Sequence, residues 1–148
     1  MPSTFTVETR SQLSAEELFD RSLSIDAHLA SMSHTDEVAV GGVTSGQIAE
    51  GETVTWRARH FGIRWTMTVQ ITALERPTRF VDEQIRGPFR RFVHEHTFTP
   101  NADGCLMTDT LTVASPVFGA LAERLVLVPY LRRLIRARNA YLLREQRP

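Results

Sequence analysis

The chain has 148 residues, 42% hydrophobic and 23% charged, with 17 basic side chains balancing 17 acidic ones. That size and composition suit one domain, residues 1–148, with one core, and they exclude a strongly basic nucleic-acid binder and a chain kept unfolded by self-repulsion. Every basic residue is arginine, so Schiff-base, P-loop and general-base lysine chemistry is excluded too.

The N-terminus lacks a basic region followed by an apolar stretch, so no signal peptide is expected. Alternation of Phe5 and Val7 with Thr4, Thr6 and Glu8 predicts a first strand. Ser14 then reads as a helix N-cap with Glu17 completing a capping box and Leu13 and Leu18 as its staple, for a short helix to about Asp20. A second short helix is expected over Ser24 to Ala30, with His28 on a partly exposed surface.

From Asp36 to Ser115 the period is two almost throughout, and about six antiparallel strands are expected. Val38 and Val40 lead into Gly41-Gly42, a bulge signal. The strand carrying Trp56, Ala58 and His60 turns at Phe61-Gly62 and returns through Ile63, Trp65, Met67, Val69 and Ile71, so that Trp56 faces Met67 and Ala58 faces Trp65. The strand from Arg79 to Ile85 is ambiguous. Counted from the turn before it, Phe80, Asp82 and Gln84 point inward; counted through a tight Gly87-Pro88 turn, Val81, Glu83 and Ile85 do; the first is preferred. After Pro116 a long helix is expected over Val117 to Arg144, with Leu121, Leu125, Val128, Leu131, Ile135 and Leu142 on one stripe and a kink or tighter first half at Pro129. Its apolar run from Leu125 to Leu131 is far short of the about 20 residues a bilayer span requires. No stable membrane insertion is therefore expected. The lone Cys105 cannot form an internal disulfide, which fits a cytoplasmic location, and it reads as a small buried filler.

The last hairpin carries the most information. With Asn101 to Gly104 as a four-residue connection, Phe98 faces Met107, His96 faces Asp109 and His94 faces Leu111. The apolar alternation independently turns His94, His96 and Asp109 to the same inward face as Phe92, Met107 and Val113. Directly opposed side chains lie about 5 Å apart, so His96 and Asp109 are within hydrogen-bonding reach. Buried polar groups are costly unless paired, which leaves three readings. The first is a satisfied structural network in which Asp109 orients His96. The second is a ligand cavity contacted by Trp56, His60, Trp65, Met67, Asp82, Gln84, Phe92, His94, His96 and Asp109, where His96 backed by Asp109 would serve as a catalytic general base if the protein is an enzyme. The third is a metal site of His94, His96 and Asp109 with Asp82 or His60 as fourth ligand; His-x-His on a strand is a non-specific signal, and the reading expects no metal and no cofactor. On the last helix Arg132, Arg133, Arg136, Arg138, Arg144 and Arg147 outnumber Glu145. A solvated outer face is expected there rather than a surface for nucleic acid or an anionic membrane, with Arg138 close enough to the inward stripe to pair with an interior carboxylate.

The order strand, two short helices, sheet, long helix resembles the START-like helix-grip superfamily (SRPBCC), above all its bacterial polyketide cyclase/dehydratase-like or ligand-binding members. The segments that carry the resemblance are Gly51 to Trp56, Phe61 to Trp65, Arg79 to Gln84, Gly87 to Phe89, His94 to His96 and Thr108-Asp109. The resemblance implies an α+β fold in which a curved antiparallel sheet of six or seven strands wraps one long C-terminal helix, leaving a hydrophobic cavity between them. The function expected is binding of a hydrophobic small molecule, lipid or polyketide-like, as a carrier or sensor, by a monomer or homodimer. The competing expectations are a cyclase- or dehydratase-type lyase or isomerase, using His96 and Asp109 on a bound carbonyl compound, and an interaction module without a ligand. The superfamily has no universal catalytic motif to transfer.

Overall fold

The two-residue period is realised as a meander. A computed structural model describes residues 2–115 and 119–144. Seven strands, β1 (Ser3–Ser11), β2 (Val38–Gly42), β3 (Thr53–His60), β4 (Ile63–Glu75), β5 (Arg79–Arg86), β6 (Arg91–Asn101) and β7 (Gly104–Ala114), form one antiparallel sheet in the order β1-β7-β6-β5-β4-β3-β2. Two short helices, α1 (Ala15–Ser22) and α2 (Ile25–Ser31), follow β1, and the C-terminal helix comprises α3 (Ala120–Ala122), a π-helical turn Glu123–Leu127 and α4 (Val128–Arg144). This is the helix-grip arrangement that the sequence resembles. No helix among the described residues is long and apolar enough to cross a membrane.

The local signals act as expected. Ser14 Oγ accepts from Glu17 N at 3.1 Å, Ser24 caps α2 through Ala27 N, and Leu13 and Leu18 are both buried. In the β3–β4 hairpin Trp56 faces Met67 and Ala58 faces Trp65, around a turn in which Phe61 and Gly62 have φ of +55° and +73°. Two positive φ values match the twist of the flanking strands, but a bulky residue rarely adopts them. In the β6–β7 hairpin His96 faces Asp109 and His94 faces Leu111. Cys105 is buried.

Extra residues, not misread periods, separate the remaining expectations from the structure. Thr72 on β4 is a bulge, between the pairs Ile71–Asp82 and Ala73–Val81, and a second register shift follows Gln84. The β5–β6 connection is wider than a tight Gly87-Pro88 turn, because Glu83 pairs with Val93 and Asp82 with His94. Phe80 and Asp82 therefore face inward, as preferred. At Pro129 the helix loosens instead of tightening. The Val128 N–H reaches back to Glu123 O, five residues away, which accommodates a proline that offers no N–H of its own. One extra residue in that turn rotates everything before it by about 100° relative to α4. Leu121 and Leu125 consequently leave the inward stripe and are 71% and 67% exposed, while Leu127, Val128, Leu131 and Ile135 pack inward. Pro116, Val117, Glu145 and Arg147, which entered the expectations above, lie outside the described residues.

The core is layered along β7. Inward residues Cys105 and Met107 belong to one apolar cluster with Phe98, Phe80, Phe19 and Leu142; Leu111 and Val113 belong to a second with Phe5, Val7 and Ile135. Asp109 lies between them.

Gly104 closes the β6–β7 turn at φ +148°, where a Cβ would sit 2.3 Å from Ser11 O. At Gly62 a Cβ would meet nothing within 4 Å. Gly62→Ala should therefore show only backbone strain, about 1 kcal/mol. Gly104→Ala adds a backbone clash and should cost about 3 kcal/mol or more. Urea unfolding midpoints of the two variants check the difference.

Candidate functional site

Between the apolar clusters runs a polar layer built by five elements. β7 contributes Asp109, β6 contributes His94 and His96, β5 contributes Asp82, α4 contributes Arg138 and Asn139, and β1 contributes Thr9. Asp109 has no exposed surface. Its Oδ1 accepts from His94 Nε2 at 2.8 Å and lies 3.7 Å from Arg138 Nη1, and its Oδ2 accepts from Asn139 Nδ2 at 2.7 Å. Asn139 also donates to Thr9 Oγ1, and Arg138 reaches Ser22 O on α1. His96 Nε2 donates to Asp82 Oδ2 at 2.8 Å. The rings of Phe80, His96 and His94 stack in series, with centroid distances of 4.1 and 3.8 Å.

That stack changes the expected pairing. His96 does face Asp109, and its Nδ1 lies 3.1 Å from Asp109 Oδ1, yet this nitrogen has no aligned hydrogen bond. The aligned bond goes diagonally to His94, because two stacked imidazoles compete for one carboxylate. Asp109 thus orients His94, and Asp82 holds His96.

The charges follow from these contacts. Burial opposes ionisation of Asp109, but the bonds and charges of His94 and His96 outweigh it and hold its carboxyl well below the usual range. Asp82 is lowered in the same way, against the same burial, by the hydrogen bond from His96. At His96 burial is overcome by Asp109 and Asp82 on its two nitrogens, and its pKa is raised. His94 is lowered by burial and by the charge of His96 despite its bond to Asp109. These shifts favour the ionised forms of Asp82 and Asp109, the protonated form of His96 and the neutral form of His94, beside the permanent charge of Arg138. Since an ionised carboxylate only accepts, His94 carries its proton on Nε2 and leaves Nδ1 as an acceptor.

This layer forms part of the wall of a cavity of about 650 Å³ between sheet and helix. Of the residues expected in a site, Trp56, His60, Trp65, Met67, Asp82, Phe92, His94 and His96 line it. Gln84 does not; its side chain turns back to Phe89, donating to the carbonyl and accepting from the N–H. Asp109 does not either, being enclosed behind the histidines. Asp82 keeps 18% of its side-chain surface. The three donors that come together for a metal are Asp82, His94 and His96, with ligand atoms within 4.8 Å of one another, rather than a set containing Asp109. A cation there would compete with the proton that both carboxylates favour on His96 and would lie close to the Arg138 guanidinium.

The His28–Glu37 pair on the wall had no strong signal in the sequence, and the expected His60 has an unexpected partner. His28 is not a plain surface residue: its Nε2 lies 2.5 Å from Glu37 Oε1, its ring lies against Trp56, and both His28 and Glu37 line the cavity. His60 Nδ1 shares a 2.6 Å hydrogen bond with Tyr130 Oη, tying the β3–β4 hairpin to α4, and burial lowers the His60 pKa.

No curated protein matches the chain in sequence. Solved structures of the same fold include TTHA0849 from Thermus thermophilus, at 18% identity and a TM-score of 0.73 over 98% of this chain and 100% of that one. A START superfamily protein from Mycobacterium smegmatis aligns at 15% identity and a TM-score of 0.72, over 99% of each chain. The ginseng major latex-like protein 151 from Panax ginseng aligns at 13% identity and 0.65, over 97% of this chain and 99% of that one. At these identities the likeness is one of fold. The sequence itself matches the family described as polyketide cyclase / dehydrase and lipid transport over residues 3–145, and the chain belongs to that family.

Proposed function

We propose that the protein binds a hydrophobic small molecule, lipid or polyketide-like, between sheet and helix, as a carrier or sensor. The observation that carries this is a cavity of about 650 Å³ whose largely apolar wall is interrupted by the Asp82–His94–His96 layer. That volume lies within the usual range for small-molecule sites. The family description and the fold of the neighbours support the same reading.

The ionisation states narrow the ligand. Asp82 and His94 Nδ1 both offer acceptors, so the matching polar group is a donor, a hydroxyl or phenol, and not a carboxylate. They also redistribute the roles in a catalytic reading of the same wall. Carboxylates beside both nitrogens of His96 favour its protonated form, which has no lone pair for abstracting a proton. In a cyclase- or dehydratase-type reaction the base would be Asp82, with His96 as its charged partner and Asp109 behind.

Both tryptophans of the chain line the cavity, so ligand entry should alter intrinsic fluorescence directly. Apolar alcohols and phenols titrated into the protein should give saturable changes, and Ala58→Phe, which fills the cavity, should weaken them at least tenfold. Saturation unaffected by that substitution would place the ligand elsewhere. Asp82→Asn removes a charged acceptor and should weaken hydroxyl-bearing ligands by about tenfold or more while sparing pure hydrocarbons. In the same variant histidine NMR should show the His96 pKa falling.

The pH dependence of stability has a defined sign. His96 is raised from 6.5, so its contribution is complete below that value and is lost as pH rises through the folded-state value. His94 is lowered from 6.5, so its contribution is present above 6.5 and lost on acidification. His96→Gln should therefore flatten the alkaline loss seen in the parent. Urea unfolding across neutral and mildly alkaline pH measures it.

A further inference from the structure

Six of the eight large hydrophobic side chains exposed among the described residues fall on just three segments: 59–64, 85–91 and 119–130. Phe61, Ile63 and Val126 are 58%, 54% and 55% exposed and still line the cavity, which marks them as its rim. Pro88 and Phe89 bring the β5–β6 connection to the same wall, and the Phe61 ring lies 4.5 Å from Tyr130 on the helix. Ile85, Leu121 and Leu125, on the same three segments, are exposed as well. Exposed apolar residues scattered singly need no explanation; gathered around an opening they do.

The charges on the same segments have one sign. Arg59, Arg64, Arg86, Arg90, Arg91 and Arg124 are all exposed, and none forms an ion pair among the described residues. The sole acid within these segments is Glu123, which is buried and occupied by Ser3 Oγ and Ser115 N. Arg59 and Arg64 face each other directly across the β3–β4 hairpin, an unfavourable pairing unless an anion lies beside it. The net neutrality of the chain conceals a cationic, apolar rim.

We propose that this rim docks on an anionic lipid bilayer, with Phe61, Ile63, Leu121, Leu125 and Val126 entering the interfacial layer and the arginines meeting lipid phosphates. The combination of shallow apolar insertion and basic charge is what peripheral attachment requires, and each arginine near such a surface adds about fivefold in affinity. A second copy is the poorer occupant, since two such rims would bring arginine against arginine. Docked in this way, the cavity opens onto the bilayer, and an apolar molecule passes between them without crossing water. Attachment needs no ligand, so vesicle binding and ligand binding are read separately.

Co-sedimentation of the full chain with vesicles tests the proposal. The protein should pellet with phosphatidylcholine vesicles that contain phosphatidylglycerol, much less with phosphatidylcholine alone, and less as salt is added. R59E/R64E should reduce binding at least tenfold, and Leu125→Ser severalfold, with unchanged circular dichroism; Arg136→Glu, exposed on α4 beyond the rim, should leave it intact. Failure to pellet with the mixed vesicles, or binding indifferent to R59E/R64E, overturns the proposal. Light scattering that shows a dimer abolished by the rim substitutions overturns it as well, and assigns the face to a second copy of the chain.

Discussion

A carboxylate with no contact to water is the constraint around which this molecule is arranged. Removing a charge from water costs several kcal/mol even after relaxation, and the cost is recovered only where partners are close and well aligned. Asp109 sits on β7, whose immediate neighbours supply His94 from β6 but no cation with a permanent charge. That cation, Arg138, and the amide of Asn139 come from α4 at the opposite end of the chain. The helix can satisfy Asp109 only in one rotation and at one height over the sheet. That rotation directs Ile135 and Leu142 to opposite sides of the polar layer, each into its own apolar cluster. The electrostatic requirement and the packing requirement thus select the same placement.

The layer also explains why the space above the sheet is hollow where it is. Below Asp109, α1 fills the sheet's concavity with Leu18 and Phe19, and the Phe19 ring meets those of Phe80 and Phe98 edge-on. Toward β3 and β4 the His28 ring of α2 reaches Trp56, while Trp65 and Met67 remain as cavity wall. The stacked imidazoles form the boundary, solid on one side and facing the cavity on the other.

How much of this was legible beforehand depends on distance along the chain. His94, His96 and Asp109 were readable because a four-residue turn and the two-residue period agree about the same face, and both cues are local. The Phe61-Gly62 hairpin was readable for the same reason. The face of β5 was only preferred, since a single bulged residue such as Thr72 inverts every later position without altering composition. The π-helical turn before Pro129 escaped in the same manner: a proline signals disturbance, but not whether the helix tightens or gains a residue. Asn139 and the His28–Glu37 pair had no local signature at all. Their partners are set by how remote elements pack, and a polar residue in a helix or loop reads as solvated until something is placed over it.

The charge balance of the interior bears on what can enter it. In the polar layer Asp82 and Asp109 lie against His96 and Arg138, and on the same wall Glu37 lies against His28, so each carboxylate that an entering apolar molecule approaches already has a basic partner. It meets a wall on which acceptors outnumber free donors. A ligand with a carboxylate would place a third anion beside Asp82 with no cation left unpaired; a ligand with a hydroxyl would add a donor where one is lacking. The outer surface follows the opposite rule, with arginines unpaired around the opening. Unpaired arginines outside, paired charges within, and an apolar passage between them are the features on which both proposals rest, docking on an anionic surface and admission of an uncharged molecule.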